Sequence, residues 1–172
     1  MLDFSLRTLS EKDLSELHAL FQNSLLRSFY GANFNELAKL EQHFYWCLTQ
    51  LETKEAHWDV ICLNGSNSII GAIGLSHIHH THKKAELSFW LHPEYWGKQI
   101  MQAALQKSEE QYFNVLALNR LEAFVDQSNT KVQHLLQKND YQLEGVMRQA
   151  EFNGDQAVNV CLYAKLRDDY TK

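Results

Sequence analysis

Between residues 85 and 125 the hydrophobic period changes twice, and those two changes constrain the fold more than anything else in the chain. AELSFWLH (85–92) alternates: Ala85, Leu87, Phe89 and Leu91 share one face, and Glu86, Ser88, Trp90 and His92 share the other, as a strand requires. From about Trp96 to Asn114 the period becomes helical, with Ile100, Met101, Ala104, Leu105, Ser108 and Tyr112 along one side. RLEAFV (120–125) then reads as a strand again. Strand, helix and strand of these lengths form a crossover, so the strands at 85–92 and 120–125 should be parallel and joined in the right-handed sense.

Around that crossover the pattern is antiparallel. HWDVICL (57–63), the turn NGSNS, IIGAIGLSHI (69–78) and the turn THKK (81–84) lead into 85–92 as a meander. Residues 3–8 read as a short strand, and Ser10 with Asp13 resembles a capping box opening a helix that carries Leu14, Leu17, Phe21 and Leu25. A second helix carries Leu37, Leu40, Phe44, Cys47, Leu48 and Leu51. Asp126 or Ser128 can cap a short helix with Val132, Leu135 and Leu136, and strands at 143–152 and 157–166 close on an NGD turn. No repeat, low-complexity tract or linker interrupts the chain, so the expectation is a single α+β domain over 1–172. Its sheet should be mixed and mostly antiparallel, with one parallel crossover near the middle.

Composition removes other classes. A chain of 172 residues with 45% hydrophobic and 22% charged residues and one proline can bury an ordinary core and is neither disordered nor collagen-like. Apolar stretches such as 69–75 are too short to span a bilayer, and the N-terminus has no long apolar segment of a leader peptide. Three widely spaced cysteines without a CxxC fit reduced thiols in a cytoplasmic protein. A net charge of −5 argues against a general nucleic-acid binder and is compatible with a cationic substrate. In SHIHHTHKK, strand alternation puts at most two of His77, His79, His80 and His82 on one face, short of a four-ligand zinc site, so a polar hairpin and no metal are expected.

The stretch PEYWGKQIMQ (93–102) follows the end of the first crossover strand and enters the helix. A helix N-terminus offers unpaired N–H groups and a positive dipole end, Gly97 allows close backbone approach and Lys98 adds charge, which together suit a pyrophosphate. AELSFWLHPEYWGKQIM, followed by RLEAFVDQSNTKVQHLLQKNDYQLEGVMRQAEFNGDQAVNVCLYAKL, resembles the GNAT N-acetyltransferase superfamily. More narrowly it is similar to the RimJ/RimL-type ribosomal-protein N-acetyltransferases and the spermidine acetyltransferases. The resemblance is strong over roughly 57–166 and loose over the N-terminal helices.

That resemblance implies a GNAT fold whose central parallel strands splay, with acetyl-CoA as co-substrate, no metal, and a primary amine as acceptor. A protein N-terminal amine is the leading acceptor. The alternatives are a polyamine or other small amine, or a catalytically weak acyl-CoA sensor; no nucleic acid or membrane partner is implied, and the chain is a monomer or homodimer. Backbone groups near Phe89, Trp90 and Leu91 should bond pantetheine and polarise the thioester. Trp96, Gly97, Lys98, Gln99, Ile100 and Met101 should hold the pyrophosphate, and Asn129 matches the family asparagine near the pantetheine. For the general base, Glu86, Glu151 or a water chain is open; for the acid, Tyr141, with Ser128 or Thr130 as substitutes. The chain departs from the family pattern at Gln99 (glycine or alanine), Val132 (serine), Asp140 (glycine) and Asn159 (aspartate). At Gln99 the expectation is an ordinary helix start with negative φ, where glycine would give only room beside the phosphates.

Overall fold

The computed structural model describes residues 3–29 and 37–170. Seven strands, β1 (Phe4–Thr8), β2 (His57–Leu63), β3 (Ile69–His79), β4 (Lys84–Leu91), β5 (Arg120–Asp126), β6 (Gln142–Asn153) and β7 (Gln156–Leu166), are hydrogen-bonded in the order β1-β2-β3-β4-β5-β7-β6. β1 pairs antiparallel with β2, and β4 pairs parallel with β5, as the two period changes require. The parallel ladder is short: Lys84↔Arg120, Ala85↔Leu121 and Glu86↔Glu122, although β4 continues to Leu91 and β5 to Asp126. The final hairpin joins through its second strand, since β7 pairs antiparallel with both β5 and β6. Among the described residues no helix is long and apolar enough to cross a membrane.

The chain divides into two compact units, Met1–Gly74 with Phe89–Ala104, and Leu75–Ser88 with Leu105–Lys172. In the first unit the capping box forms: Asp13 accepts from the Ser10 N–H at 2.9 Å and its hydroxyl at 3.1 Å. It opens a single 3-10 turn, Glu11–Asp13, before α1 (Leu14–Leu20) begins. Arg7 grips the same carboxylate at 2.9 and 2.7 Å. Burial pushes the Asp13 carboxyl up, but the Arg7 and Ser10 hydrogen bonds outweigh it and leave it below its ordinary value. Leu25 does not continue the buried stripe of α1 and is 47% exposed. The Asn23 side chain accepts from the N–H groups of Leu25 and Leu26, starting a separate α2 (Ser24–Phe29) that buries Leu26 instead.

α3 (Leu37–Glu52) buries Phe44 and Cys47; the side chains expected at Leu37 and Leu40 lie outside the described ones. Phe21 meets Phe44 and Trp90 edge-on, with ring centroids 5.7 and 5.0 Å apart. Trp58, Val60, Cys62 and Ile69 complete that core. Gly71 is obligatory, because a Cβ there would stand 2.6 Å from the Trp90 carbonyl oxygen.

α4 (Ile100–Glu110) buries Ile100, Met101, Ala104, Leu105 and Ser108, and Tyr112 follows in the π turn at 111–115, as the helical period predicts. It starts at Ile100 rather than near Trp96, because Gly97 and Gln99 have φ of +71° and +62°. In the second unit α5 (Thr130–Lys138) is capped by Asn129, whose Oδ1 accepts from Val132 N at 3.3 Å. Neither Asp126 nor Ser128 caps it: the Asp126 carboxylate is taken by the Ser128 N–H and hydroxyl, each at 2.7 Å. α5 ends in a Schellman motif, with Tyr141 N on Leu136 O at 3.0 Å and Asp140 N on Gln137 O at 3.2 Å. Asp140 occupies the left-handed position of that motif, φ +64°, which explains why glycine is the usual residue there.

Two charge clusters brace this unit. Arg120 donates to Glu144 at 2.8 and 2.5 Å and to Glu122 at 2.8 Å, and Lys84 reaches Glu122 at 3.1 Å. Lys165 and Glu109 form a buried ion pair at 2.7 Å. The terminal hairpin turns at Gly154, φ +62°, as the NGD sequence predicts, and every residue of β6 is exposed.

Candidate functional site: a left-handed loop at the end of β4

The loop is built from β4 outward, within one unit. Trp90 and Leu91 are buried, and Trp90 is fixed by its contact with Phe21. His92 N donates to Ile70 O at 2.8 Å, and its Nδ1 accepts from Glu94 N at 3.4 Å, opening a 3-10 turn at Pro93–Tyr95. Trp96 then folds back: its indole N–H donates to Leu91 O at 2.6 Å. That bond staples the loop to the strand it has just left. Lys98 sits with its ammonium 5.3 Å from the Tyr95 ring centroid, a cation–π contact that keeps the charge at the loop.

Gly97, Lys98 and Gln99 follow, all exposed. φ is positive at Gly97 and Gln99 and not at Lys98 between them. Alternation of this kind turns successive N–H groups toward a common concavity, the geometry of an anion-binding nest. The first helical rung is Ala103 N to Gln99 O at 3.1 Å, so the N–H groups of Ile100, Met101 and Gln102 precede the ladder and point out of the helix start. Nothing lies within 4 Å of the place a Gly97 Cβ would take. Open space, converging N–H groups, a helix dipole and a lysine fit a diphosphate.

Gln99 corrects the sequence expectation. It does not enter the helix with negative φ; it adopts +62°. Its carbonyl accepts from Ala103 while the chain reverses out of the Trp96 staple, and the left-handed conformation of Gln99 lies between the two. The glycine usual at this position therefore supplies backbone conformation as well as room. A side chain there costs roughly 1–2 kcal/mol of local strain.

The remaining predicted residues lie in the other unit. Glu86 closes the β4–β5 ladder, and its carboxylate is 3.2 Å from His77 Nδ1. His77, at φ +51°, is the partner that sequence reasoning missed; counting back through the THKK turn would have set it opposite Glu86. Asn129 has its carbonyl oxygen committed to the α5 cap, leaving the amide N–H groups as its donors. Glu151 stands exposed on β6, in register with Val158. Tyr141 is 2% exposed. Burial, then Glu109 beside it, pushes its hydroxyl well above the ordinary value, so the ring occupies a packing position rather than an open one. Ser128 is held by Asp126, and Thr130 is the first residue of α5. Asn159 bridges two elements: its Oδ1 accepts from Gln149 N at 2.9 Å and its Nδ2 donates to Gln127 Oε1 at 2.9 Å, a pairing of roles that an aspartate in its place lacks.

His79 and His82 lie ring to ring, centroids 4.2 Å apart, and among the described residues no three His, Cys, Asp or Glu side chains converge as a metal would need.

Comparison with known proteins identifies the family. The model of the acetyltransferase (GNAT) domain family matches residues 3–142. The spermidine N(1)-acetyltransferase of Escherichia coli K12 is 28% identical over 166 residues, covering 92% of this chain and 84% of that protein. The ribosomal-protein-serine acetyltransferase of the same organism is 31% identical over 102 residues, 59% of this chain and 57% of that protein. Among solved structures, the Vibrio cholerae spermidine N-acetyltransferase in complex with CoA and spermine superposes with a TM-score of 0.85 over 98% of both chains at 22% identity, a likeness of fold. Sequence pattern, topology and family match converge: the chain belongs to the GNAT family and is an acetyl-CoA-dependent N-acetyltransferase.

Proposed function

We propose that this enzyme acetylates a primary amine of a polyamine. The observation that carries the reading is the extent of the spermidine acetyltransferase match, 92% of this chain against 59% for the ribosomal-protein relative. A net charge of −5 supports a polycationic acceptor. The protein N-terminus expected from sequence becomes the second reading, favoured by the higher local identity, 31%, to the ribosomal-protein enzyme. The family match runs through both compact units, which supports one catalytic domain over 1–172. Three buried free cysteines, Cys47, Cys62 and Cys161, support a reducing cytoplasmic setting.

When bound, acetyl-CoA supplies a thioester carbonyl to the amine. In this reading the N–H groups of Gly97 to Met101 and the Lys98 ammonium hold the diphosphate, with Trp96 bracing the loop. Backbone groups of Phe89, Trp90 and Leu91 bond the pantetheine amides, and one N–H donates to the carbonyl oxygen as charge develops on it. The Asn129 amide offers a further donor. Glu86, three residues before Phe89 on β4 and paired with His77, takes the proton an ammonium must lose before it can attack. We favour it over Glu151 because it has an imidazole to share that proton, whereas Glu151 stands on the outermost strand. Release of CoA thiol with spermidine, spermine and N-terminal peptides tests the assignment. Saturable release with polyamines supports it, and turnover of peptides alone overturns it.

A further inference from the structure

Gln127, Ser128 and Asn129 carry the chain from the end of β5 to the start of α5, and a turn this short sets where the Asn129 amide lies. The β5–β7 ladder ends at Asp126↔Val160, yet pairing runs one residue further, with Gln127 N donating to Asn159 O at 2.9 Å. The side chains of the same two residues meet as well, Asn159 Nδ2 donating to Gln127 Oε1 at 2.9 Å. On the α5 side, Gln127 O accepts from Gln133 Nε2 at 2.8 Å. Gln127 is thus held through its N–H, its carbonyl and its side chain, although it is an exposed residue.

The direction of the side-chain bond is set from outside the turn. Asn159 Oδ1 accepts from the backbone N–H of Gln149, a group that can only donate. Asn159 must therefore turn its amino group to Gln127, and Gln127 must answer with its oxygen. Asn129 follows two residues later, its N–H on Asp126 O at 2.8 Å and its Oδ1 on Val132 N. With 126, 127 and 132 all anchored, the Asn129 amino group keeps the one placement this turn gives it. Hydrogen bonds between exposed groups add little stability, because water competes for each of them. What such a clamp supplies is precision, which a donor needs if it is to meet a ligand amide without first being ordered.

We propose that Gln127 and Asn159 are positioning residues that hold the Asn129 amino group in place for the pantetheine arm of CoA. The inference rests on the assignment of Asn129 to pantetheine and adds what fixes that amide.

Isothermal titration calorimetry with CoA and with 3′-phospho-ADP, which lacks the pantetheine arm, tests it, and circular dichroism confirms that each variant is folded. Asn129→Asp keeps the oxygen that caps α5 and removes the amino group. It should weaken CoA about ten-fold and leave 3′-phospho-ADP within about two-fold. Asn159→Leu removes the clamp and should show the same selective loss. Gln127→Glu and Asn159→Asp should each be mild, because the amide left opposite can offer its amino group to the new carboxylate. Together they set two carboxylates face to face and should lose CoA about ten-fold. Adding Asn129→Asp to Asn159→Leu should cost nothing more, since the clamp acts only through that amide. Normal CoA binding by Asn129→Asp would overturn the pantetheine assignment and the inference with it. If Asn129→Asp is impaired but Asn159→Leu binds CoA normally, weakens both ligands alike or adds a separate loss in the double variant, the inference alone falls.

Discussion

Replacing Gln99 with glycine should make the enzyme more stable without weakening its hold on CoA. Gln99 holds φ at +62°, where an L side chain costs roughly 1–2 kcal/mol and glycine does not. Glycine brings its own penalty, about 0.5–1 kcal/mol, through the extra freedom of the unfolded chain. The difference leaves a net gain of about 0.5 kcal/mol, a rise in Tm of about 1–2 °C for a chain of this size. Gln99→Ala keeps the strained conformation and should melt like wild type. Gln99→Val adds a β-branch where it is least tolerated and should fall by a further ~1 kcal/mol or more. Melting each variant with and without saturating CoA reads affinity at the same time, since a ten-fold loss removes about 1.4 kcal/mol of ligand stabilisation. If alanine and glycine raise Tm equally, left-handed strain is not what Gln99 carries. If both lose CoA affinity about ten-fold, the Gln99 amide is itself a phosphate ligand and the argument from backbone conformation fails.

Other perturbations separate the remaining parts of the account. Asp140→Gly relieves the same strain at the end of α5, φ +64°, and should gain up to about 0.5 kcal/mol by urea denaturation, less than at Gln99 if aspartate tolerates the left-handed region better. Lys165→Met strands the Glu109 carboxylate, already pushed up by burial, and should cost about 3–5 kcal/mol. Because Glu109 can escape by binding a proton, that loss should grow as pH rises; removing both charges with methionine should recover most of it. At Glu122, burial pushes the carboxyl up, but hydrogen bonds from Arg120 and Lys84 outweigh it and leave the folded value below 4.5. A depressed carboxylate stabilises the fold above the unfolded pKa and loses that contribution as pH falls through the folded one. Arg120→Gln should thus cost about 1–2 kcal/mol at neutral pH, with the gap to wild type closing below pH 4.5 in acid unfolding curves.

Much of this architecture is written locally in the chain. The switch from alternation at 85–92 to a helical stripe at Ile100–Tyr112 marks the parallel crossover, because parallel strands need a connection of that length and a helix supplies it. Gly97 with Lys98 before that helix marks the loop proposed to hold the diphosphate for the same local reason. What the sequence conceals is set by distant or competing partners. Leu25 has the right spacing to be buried, but Asn23 caps a new helix in front of it. β7 lies between β5 and β6 through pairings that no local period encodes. Asn129 appears as a ligand contact from its position in the pattern, yet half of its amide is spent on the α5 cap. Gln99 is the sharpest instance: a good helix former by propensity, held in a left-handed conformation by the Trp96 staple before it and the helix after it.

The central claim is acetyl transfer to a polyamine, and a competition assay tests it most directly. Spermidine and a peptide with a free N-terminal serine are offered together with limiting acetyl-CoA, and both products are counted by mass spectrometry. The account predicts that acetylated spermidine dominates at equal concentration, in a one-to-one ratio with the thiol released. Acetylated peptide as the main product, or bound acetyl-CoA that neither acceptor discharges, would contradict it.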